Sequence, residues 1–255
     1  MVRLIKWPWE LLITCLLWLY FLLGFCLFWL PLFLCAAWRH PEKAARAKAF
    51  QRLIHHFLKS FFFLIRLLSP GLRFDLDPLL SDMAGCILVA NHRSFFDPLL
   101  LTSLFPRHGT VVKSVFFKIP IFGWVIKNAG YLPSGEDIES LRQKLNEMPD
   151  FIAQGGIFFI FPEGTRSRSR DPKLAPFKKG AFRIAQRSGA PICLLAIQGT
   201  GRLFPPDQIR LRAADRIHLR LKVVGCIEAR DLEDPNSLTE QARHAQKCIE
   251  DACSS

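Results

Sequence analysis

The sequence has no Cys-x-x-Cys pair, although it contains eight cysteines. Structural zinc sites and thiol redox sites generally use such closely spaced pairs, and the scattered cysteines do not indicate a disulfide framework. Three of them fall in an apolar segment near the amino terminus, and most are expected to pack as small hydrophobic side chains. We therefore expect neither a metal site nor a bound cofactor. Internal repeats and low-complexity tails are also missing from the sequence.

Acidic residues are scarce. The chain has 34 Lys and Arg against 22 Asp and Glu, which gives a formal net charge of +12. A surface this basic suits a nucleic acid, an anionic lipid or an acidic protein. No nucleic-acid-binding motif is present, and the basic residues lie beside strongly apolar segments, so we expect lipid partners and no nucleic acid.

Charged residues are absent altogether from Leu11 to Trp38. This run exceeds the ~20 residues that a helix needs to cross a bilayer and the ~7–15 apolar residues of a secretory signal peptide. Gly24 and Pro31 leave two arrangements open, a membrane span with a shallow continuation or a re-entrant hairpin. Basic residues are more numerous after the run than before it, so the positive-inside rule predicts that the rest of the chain is cytoplasmic.

Residues 43–68 have apolar side chains at helical spacing and a basic stripe formed by Arg52, Lys59 and Arg66. A basic amphipathic helix of this kind can lie in a membrane interface or pack on the protein core, and the pattern favours neither. The sequence Ser69-Pro70-Gly71 predicts its end. We therefore divide the chain into membrane-anchoring helices over residues 1–70 and a second domain over residues 71–255.

The second domain has the pattern of an α/β fold. Short continuous apolar runs are typical of strands that are buried on both faces. The predicted strands are Leu72–Leu76, Cys86–Ala90, Thr110–Val115, Gly156–Ile160, Ala190–Ile197 and the alternating run Arg216–Ile227. Helical patterns include 177–187, with Gly189 as its stop, and a last helix from Ser237. We expect a mixed, mostly parallel sheet flanked by helices, with the alternating strand half exposed near the sheet edge.

A polar motif, Asn91-His92-Arg93-Ser94-Phe95-Phe96-Asp97-Pro98, directly follows the apolar run 86–90. His92 is therefore expected just past the carboxyl end of a strand, where open α/β sheets bind their ligands. Asp97-Pro98 predicts a helix start with Asp97 as the N-cap. If the two side chains meet across the turn, the carboxylate would fix the imidazole tautomer and leave the other ring nitrogen free as a base. Taken alone, the stretch is explained better by a turn histidine and a capping aspartate.

A second motif, Phe161-Pro162-Glu163-Gly164-Thr165-Arg166-Ser167, follows the apolar run 156–160 in the same way. The pair, NHxxxxD followed later in the chain by FPEGTR, resembles the glycerolipid acyltransferase family. The best-known members of that family are the lysophosphatidic acid (1-acylglycerol-3-phosphate) acyltransferases. Each motif alone is a weak signal, but the ordered pair is specific, and the resemblance extends over roughly residues 72–227.

The resemblance implies acyl transfer from a thioester to a lipid hydroxyl. His92 would be the general base that takes the hydroxyl proton, and Asp97 would orient it. Ser94 as a nucleophile activated by His92 is the alternative, which fits less well because the acceptor hydroxyl can attack directly. Backbone N–H groups near Gly164 or Asn91 could hold the thioester oxyanion.

The resemblance also implies residues that bind the substrates. These are Asn91, Lys113, Glu163, Gly164, Thr165, Arg166 and Pro191. Arg166 could hold a phosphate through two parallel hydrogen bonds, with Lys113 and Lys178 as helpers. Glu163 would either orient Arg166 or bind an acceptor hydroxyl, and the first role is preferred because a carboxylate facing a phosphate is costly.

The acceptor is less well specified by the motifs. In the family, the segment that begins at the position of Gly130 commonly ends in an arginine thought to contact the acceptor phosphate, whereas residues 130–136 here contain no Arg and end in Glu136. The expected product is phosphatidic acid. The alternatives are a different acceptor (a lyso-ornithine lipid, another lysolipid or a specialised lipid or polyene) and a non-catalytic membrane-binding module of the same fold. The donor would be acyl-CoA or acyl carrier protein, and the expected location is the inner (cytoplasmic) membrane, with the catalytic domain on its cytoplasmic face.

Overall fold

A computed structural model describes residues 2–135, 146–166, 173–206, 208–234 and 237–254, with side chains from Lys6 onward. The described strands are β1 (Leu72–Leu76), β2 (Cys86–Ala90), β3 (His108–Lys113), β4 (Leu132–Ser134), β5 (Ile157–Ile160), β6 (Ile192–Gln198) and β7 (Ile217–Ile227). They form a seven-stranded sheet in the order β1-β7-β6-β2-β5-β3-β4.

Helices connect and flank these strands. Those described are α1 (Val2–Leu19), α2 (Leu30–Arg39), α3 (Lys43–Leu68), α4 (Leu79–Asp82), α5 (Phe96–Leu104), α6 (Pro120–Asn128), α7 (Met148–Ala153), α8 (Gly180–Ser188), α9 (Thr200–Leu203) and α10 (Ser237–Ser254). A π-helical segment, Tyr20–Trp29, joins α1 to α2, and 3-10 segments occupy Ser114–Lys118 and Ala229–Leu232.

The centre of the sheet is parallel. Strand β2 pairs in parallel with β5 on one side and β6 on the other, and β3 pairs in parallel with β5 and β4. All five residues of β2 are buried, as expected for a strand covered on both faces. The prediction of a mixed, mostly parallel α/β sheet is confirmed.

Strand β7 confirms the predicted alternation. Ile217, Leu219 and Leu221 are buried, while the residues between them are exposed. The strand lies second from the edge, between β1 and β6. One face is therefore packed and the other meets solvent.

Among the element boundaries that differ from the predictions, two have a clear structural reason. Strand β3 begins at His108 rather than at Thr110, because the buried His108 ring satisfies its Nε2 atom with the Tyr131 hydroxyl at 2.6 Å. Helix α8 begins three residues later than predicted, since the Lys178 N–H donates to the Pro162 carbonyl outside the helix. Its predicted end is confirmed by Gly189, which has φ +64°.

The chain divides into two compact units, each built from separate segments. The first contains Met1–Leu76, Arg93–Pro106 and Ile197–Arg220, and the second contains Asp77–His92, Arg107–Ala196 and Leu221–Ser255. The predicted division after residue 70 concerns membrane insertion and stays a prediction.

In the second unit, the core lies between the sheet and helices α8 and α10. Ile87 of β2, Ile192 of β6, Phe182 of α8 and Ile249 of α10 are fully buried in one apolar cluster. This packing fixes β2 and β6 in the middle of the sheet. The ends of the central strands, where the polar motifs lie, are therefore rigidly placed.

In the first unit, the helical run from Val2 to Arg39 and helix α3 form an antiparallel pair. The helical run continues through Gly24 and Pro31 to Arg39, and the chain reverses only at residues 40–42. The Phe33 ring packs on Phe50 at 5.0 Å, and Phe25 packs on Phe57 at 5.3 Å. Pro31 is tolerated because it stands in the first turn of α2. The helical run is unbroken at Gly24 and Pro31, and its arrangement in a membrane stays a prediction.

The segment Lys6–Arg39 is long and apolar enough to cross a membrane, judged by length and composition. Helix α3 runs beside it, with Phe50, Phe57 and Phe61 buried and with Phe63 and Leu67 exposed. One face of α3 thus packs on its own unit, and the opposite face remains available to a membrane interface.

Candidate active site

The carboxyl ends of β2 and β5 lie side by side in the second unit. Their parallel register pairs Val89 with Ile160, so His92 and Glu163 each lie three residues beyond a paired position. Asn91 is fully buried and His92 is half-buried. Because both strands run in the same direction, the loops that carry the two motifs leave the sheet at the same edge.

Glu163 links the two loops directly. Its carboxylate is buried (3% exposed), and Oε1 accepts a hydrogen bond from the backbone N–H of His92 at 2.7 Å. The second oxygen, Oε2, accepts a longer bond from the N–H of Ala175 at 3.4 Å. These contacts hold the backbone of the histidine, a role that the motif did not predict. The two predicted roles of Glu163, orienting Arg166 and binding an acceptor hydroxyl, stay predictions.

The imidazole of His92 stacks on Phe161. The ring centroids are 4.3 Å apart and the ring planes are inclined by 23°. Phe161 thereby covers one face of the imidazole and restricts its rotation. The motif pattern did not predict this contact, although the position of Phe161 at the end of β5 was the available signal.

Gly164 makes the tight turn of the second motif. Its φ of +72° lies in the left-handed region, which favours glycine. A Cβ atom at this position would lie 2.6 Å from the Nζ atom of Lys178, so the lysine ammonium occupies the space above the turn. The structure therefore brings Lys178, one of the predicted helpers, to the motif.

In the first unit, Asp97 organises the loop that follows His92 in the chain. Its carboxylate is fully buried, and Oδ2 accepts hydrogen bonds from the N–H groups of Arg93 at 2.6 Å and Ser94 at 2.7 Å. Short bonds to backbone donors of this kind fix the path of a loop.

The prediction that Asp97 is the N-cap of α5 is wrong. The helix begins at Phe96, which places Asp97 inside its first turn, and the carboxylate bonds to the loop instead of to the helix end. The Phe96 N–H bonds to the Ser94 hydroxyl at 3.2 Å. The Asp97 N–H donates to the Ser94 carbonyl and closes a short turn, which explains why α5 starts earlier than predicted.

Ser94 has a structural role. Its fully buried hydroxyl donates to the carbonyl of Phe204 at 2.9 Å. The ring of Phe96 stacks on Phe204 at 4.7 Å and meets Phe61 of α3 edge-on at 5.9 Å. These contacts anchor the start of α5, and they give the nucleophile alternative for Ser94 no support.

The remaining basic and polar candidates lie at the same edge of the second unit. Thr165 and Arg166 are exposed at the end of the second motif. Lys113 is exposed at the end of β3, where the pairing of Thr110 with Phe159 brings it level with Pro162. Glu136, the last residue of the segment that lacks arginine, lies outside the described residues.

Pro191 is placed away from this edge. It precedes β6, and its carbonyl accepts the N–H of Ile87 near the start of β2. Since β2 and β6 are parallel, Pro191 is level with Cys86, about 20 Å from His92 at ~3.3 Å per residue. Its predicted role in substrate binding at this site is not supported by its position.

Among the residues that the structure describes, no three His, Cys, Asp or Glu side chains are grouped so that they could hold a metal ion. The Glu163 carboxylate at this edge is taken up by backbone N–H groups, and the other side chains there include an imidazole, ammonium groups and a guanidinium, which suit anions and proton transfer.

Comparison with solved structures supports the fold. The structure is similar to the 1-acyl-sn-glycerophosphate acyltransferase PlsC of Thermotoga maritima, with a TM-score of 0.70 and 21% sequence identity, over 95% of this chain and 96% of that one. At this identity the likeness shows a shared fold.

Comparison of sequences supports the resemblance of the motifs. A chloroplastic 1-acyl-sn-glycerol-3-phosphate acyltransferase of Brassica napus is 36% identical over 160 residues, which are 61% of this chain and 46% of that protein. The 1-acyl-sn-glycerol-3-phosphate acyltransferase of Saccharomyces cerevisiae is 32% identical over 123 residues, covering 47% and 41%. The chain thus spans less than half the length of these relatives. Residues 77–198, which contain both motifs, match the acyltransferase family model. The comparisons thus confirm the resemblance to glycerolipid acyltransferases over the part of the chain that contains both motifs.

Proposed function

We propose that this protein is a membrane-bound acyltransferase that moves a fatty acyl group from an acyl thioester to the free hydroxyl of 1-acylglycerol-3-phosphate, giving phosphatidic acid. The observation that carries the proposal is the bond from the His92 N–H to Glu163, which joins the two motifs at one edge of the sheet. The family match over residues 77–198 and the names of the relatives support the reaction class.

In the proposed reaction, His92 is the general base. It takes the proton of the acceptor hydroxyl as that oxygen attacks the thioester carbonyl carbon. The tetrahedral intermediate then collapses, the carbon–sulfur bond breaks, and the departing sulfur receives the proton from His92. Asp97 is proposed to orient the histidine. This role is supported by its complete burial and by its bonds to the two residues that follow His92.

Cations at the same edge would bind the anionic parts of the substrates. Lys178 stands over Gly164. Arg166 is exposed at the end of the second motif, and Lys113 is exposed at the end of β3. Arg166 presents a planar fork of donors that suits a phosphate, and each lysine adds a point charge. No cofactor is required, and both acyl-CoA and acyl carrier protein are compatible donors because each is anionic.

Replacement of His92 tests the proposal. His92→Ala should lower thioester consumption by about 10²–10⁴-fold, the usual contribution of a general base, while the protein stays folded and membrane-bound. The matched control is His218→Ala, an exposed histidine on β7. Near-normal turnover by His92→Ala would remove the base from the mechanism.

A second candidate keeps the chemistry and changes the acceptor. It is favoured by the segment 130–136, in which no arginine occurs. Thioester consumption measured with a panel of acceptors separates the two. Product with 1-acylglycerol-3-phosphate supports the first proposal, whereas product only with a lyso-ornithine lipid, another lysolipid or a specialised lipid or polyene supports the second. Turnover with none of them would favour the non-catalytic binding module.

The proposed location is the inner (cytoplasmic) membrane, with the catalytic domain on the cytoplasmic face. Support comes from the apolar helix Lys6–Arg39 and from the basic residues that follow it. Proteolysis of vesicles of defined orientation is the test. The carboxyl-terminal part should be cut only when the cytoplasmic face points outward.

A further inference from the structure

The second unit exposes a short apolar segment directly after β3. Five consecutive residues, 118–122, are exposed, and the large apolar members Ile119, Ile121 and Phe122 are 45%, 42% and 39% exposed. Val115, in the preceding 3-10 turn, is 59% exposed. Single exposed apolar residues are ordinary, but a cluster of four within eight positions marks a surface that another phase or molecule covers.

The local backbone is built to present these side chains. Gly123 sits so close to the carbonyl oxygen of Phe117 that an added Cβ would lie 2.3 Å from it, and its N–H donates to the Ile119 carbonyl at 2.6 Å. Val125 and Ile126, on the inner side of α6, are buried. Helix α6 is therefore anchored on one side while residues 119–122 point outward.

The charges around the cluster have one sign. Lys113, Lys118 and Lys127 are exposed, and residues 107–128 contain no Asp or Glu. Apolar side chains flanked by lysines match the surface of an anionic bilayer, where the chains enter the boundary between headgroups and acyl tails and the lysines meet the phosphates. An acidic protein would satisfy the lysines but would not by itself favour four exposed apolar side chains.

The segment also lies at the functional edge. It begins where β3 ends, and β3 is parallel to β5, whose carboxyl end carries the second motif. We propose that residues 114–127 are a second membrane-contact surface, by which the second unit docks on anionic lipid beside the mouth of the candidate site. The proposal deepens the proposed function, since it supplies a route for a lipid acceptor, but its test does not depend on turnover.

Photo-crosslinking tests the contact in the full chain. Benzoylphenylalanine replaces Ile121, and in a matched control it replaces Leu79, which is apolar, 61% exposed and in the same unit near the start of β2. The proteins are reconstituted in phosphatidylcholine vesicles with and without phosphatidylglycerol, and lipid adducts are counted by mass spectrometry. We expect strong lipid labelling at position 121 and little at position 79.

The dependence on charge is the second readout. Lys118→Glu should lower the labelling at position 121 by about fivefold or more, because each lysine near an anionic surface contributes roughly that factor. Labelling at 121 should also fall in vesicles of phosphatidylcholine alone. Equal labelling at positions 121 and 79 would overturn the proposal. If the probe at position 121 crosslinks to added acyl carrier protein and forms no lipid adduct, the proposal is overturned in favour of a protein partner.

The kinetic arm separates this surface from the reaction itself. Phe122→Glu should raise the apparent KM for an acceptor presented in vesicles, and it should leave turnover of a short-chain, monomerically dissolved acceptor unchanged. Loss of turnover with both acceptors, together with normal lipid crosslinking, would contradict the proposed function rather than the membrane contact. Unchanged KM for the vesicle-bound acceptor would count against the contact.

Discussion

The bond between Glu163 and the His92 backbone can be tested by removing it. Glu163→Ala deletes an acceptor that is 3% exposed and 2.7 Å from the His92 N–H. A buried hydrogen bond to a charged group is worth about 1.5–3 kcal/mol, and solvent screening is small at this burial, so we expect kcat/KM to fall by about 10- to 150-fold. Glu163→Gln keeps an oxygen acceptor without the charge and should lose less.

Whether a Glu163 substitution changes kcat or KM distinguishes its two possible roles. If it positions His92, both variants lower kcat and leave KM for the acceptor nearly unchanged. If it binds an acceptor hydroxyl, KM rises and kcat changes little. The measurement is steady-state thioester consumption in detergent or vesicles, at several acceptor concentrations.

A matched control separates positioning from stability. Glu250 lies in the same unit, and its Oε1 accepts the backbone N–H of Leu174 at 2.7 Å, far along the chain from His92. Glu250→Ala should lower the melting temperature about as much as Glu163→Ala, at ~2–4 °C per kcal/mol, without changing kcat. A Glu163→Ala protein with normal kcat, or a Glu250→Ala protein with an equal loss of kcat, would refute the positioning role.

Three further predictions concern single side chains. Gly164→Ala forces a φ of +72° on a residue with a Cβ and displaces Lys178, so it should cost about 1–3 kcal/mol of stability, measured as melting temperature, and should lower kcat/KM. Tyr131→Phe removes the 2.6 Å bond to the buried ring of His108 and should cost about 1–3 kcal/mol with kcat preserved; an altered kcat would give Tyr131 a role in turnover. Partial burial of its sulfur, followed by the bond to Cys193, raises the pKa of the otherwise exposed Cys226 thiol to about 11. The rate of its alkylation by iodoacetamide, followed by mass spectrometry, should therefore keep rising with pH up to about pH 11. In the urea-unfolded chain the rate should level off near pH 9. A plateau near pH 9 in the folded protein would contradict the raised pKa.

The central strands could be predicted from the sequence because burial on both faces imposes a continuous apolar run. The runs that became β2 and β5 were located to within a residue, and this alone placed His92 and the second motif at strand ends. The alternating run of β7 was equally informative, since one face of that strand meets solvent.

Tertiary contacts explain what the pattern did not predict. The sequence cannot show that Asp97 bonds backward to the N–H groups of Arg93 and Ser94, because an aspartate before proline is equally consistent with an N-cap. The sequence around Pro191 does not show which end of its strand lies at the site. Only the parallel register of β6 with β2 shows this. The stacking of Phe161 on His92 likewise depends on two loops that are distant in sequence.

The second motif divides into two halves with different physical tasks. Phe161 and Glu163 turn inward, one covering the imidazole of His92 and the other holding its backbone, and Gly164 permits the turn that follows them. Thr165 and Arg166 are exposed beyond that turn. If His92 is the proposed base, substitutions in the inward half should act mainly on kcat, through the placement of that histidine. Those in the outward half should act mainly on KM, through binding of the anionic substrate, and Arg166→Ala with an unchanged KM but a reduced kcat would contradict this division.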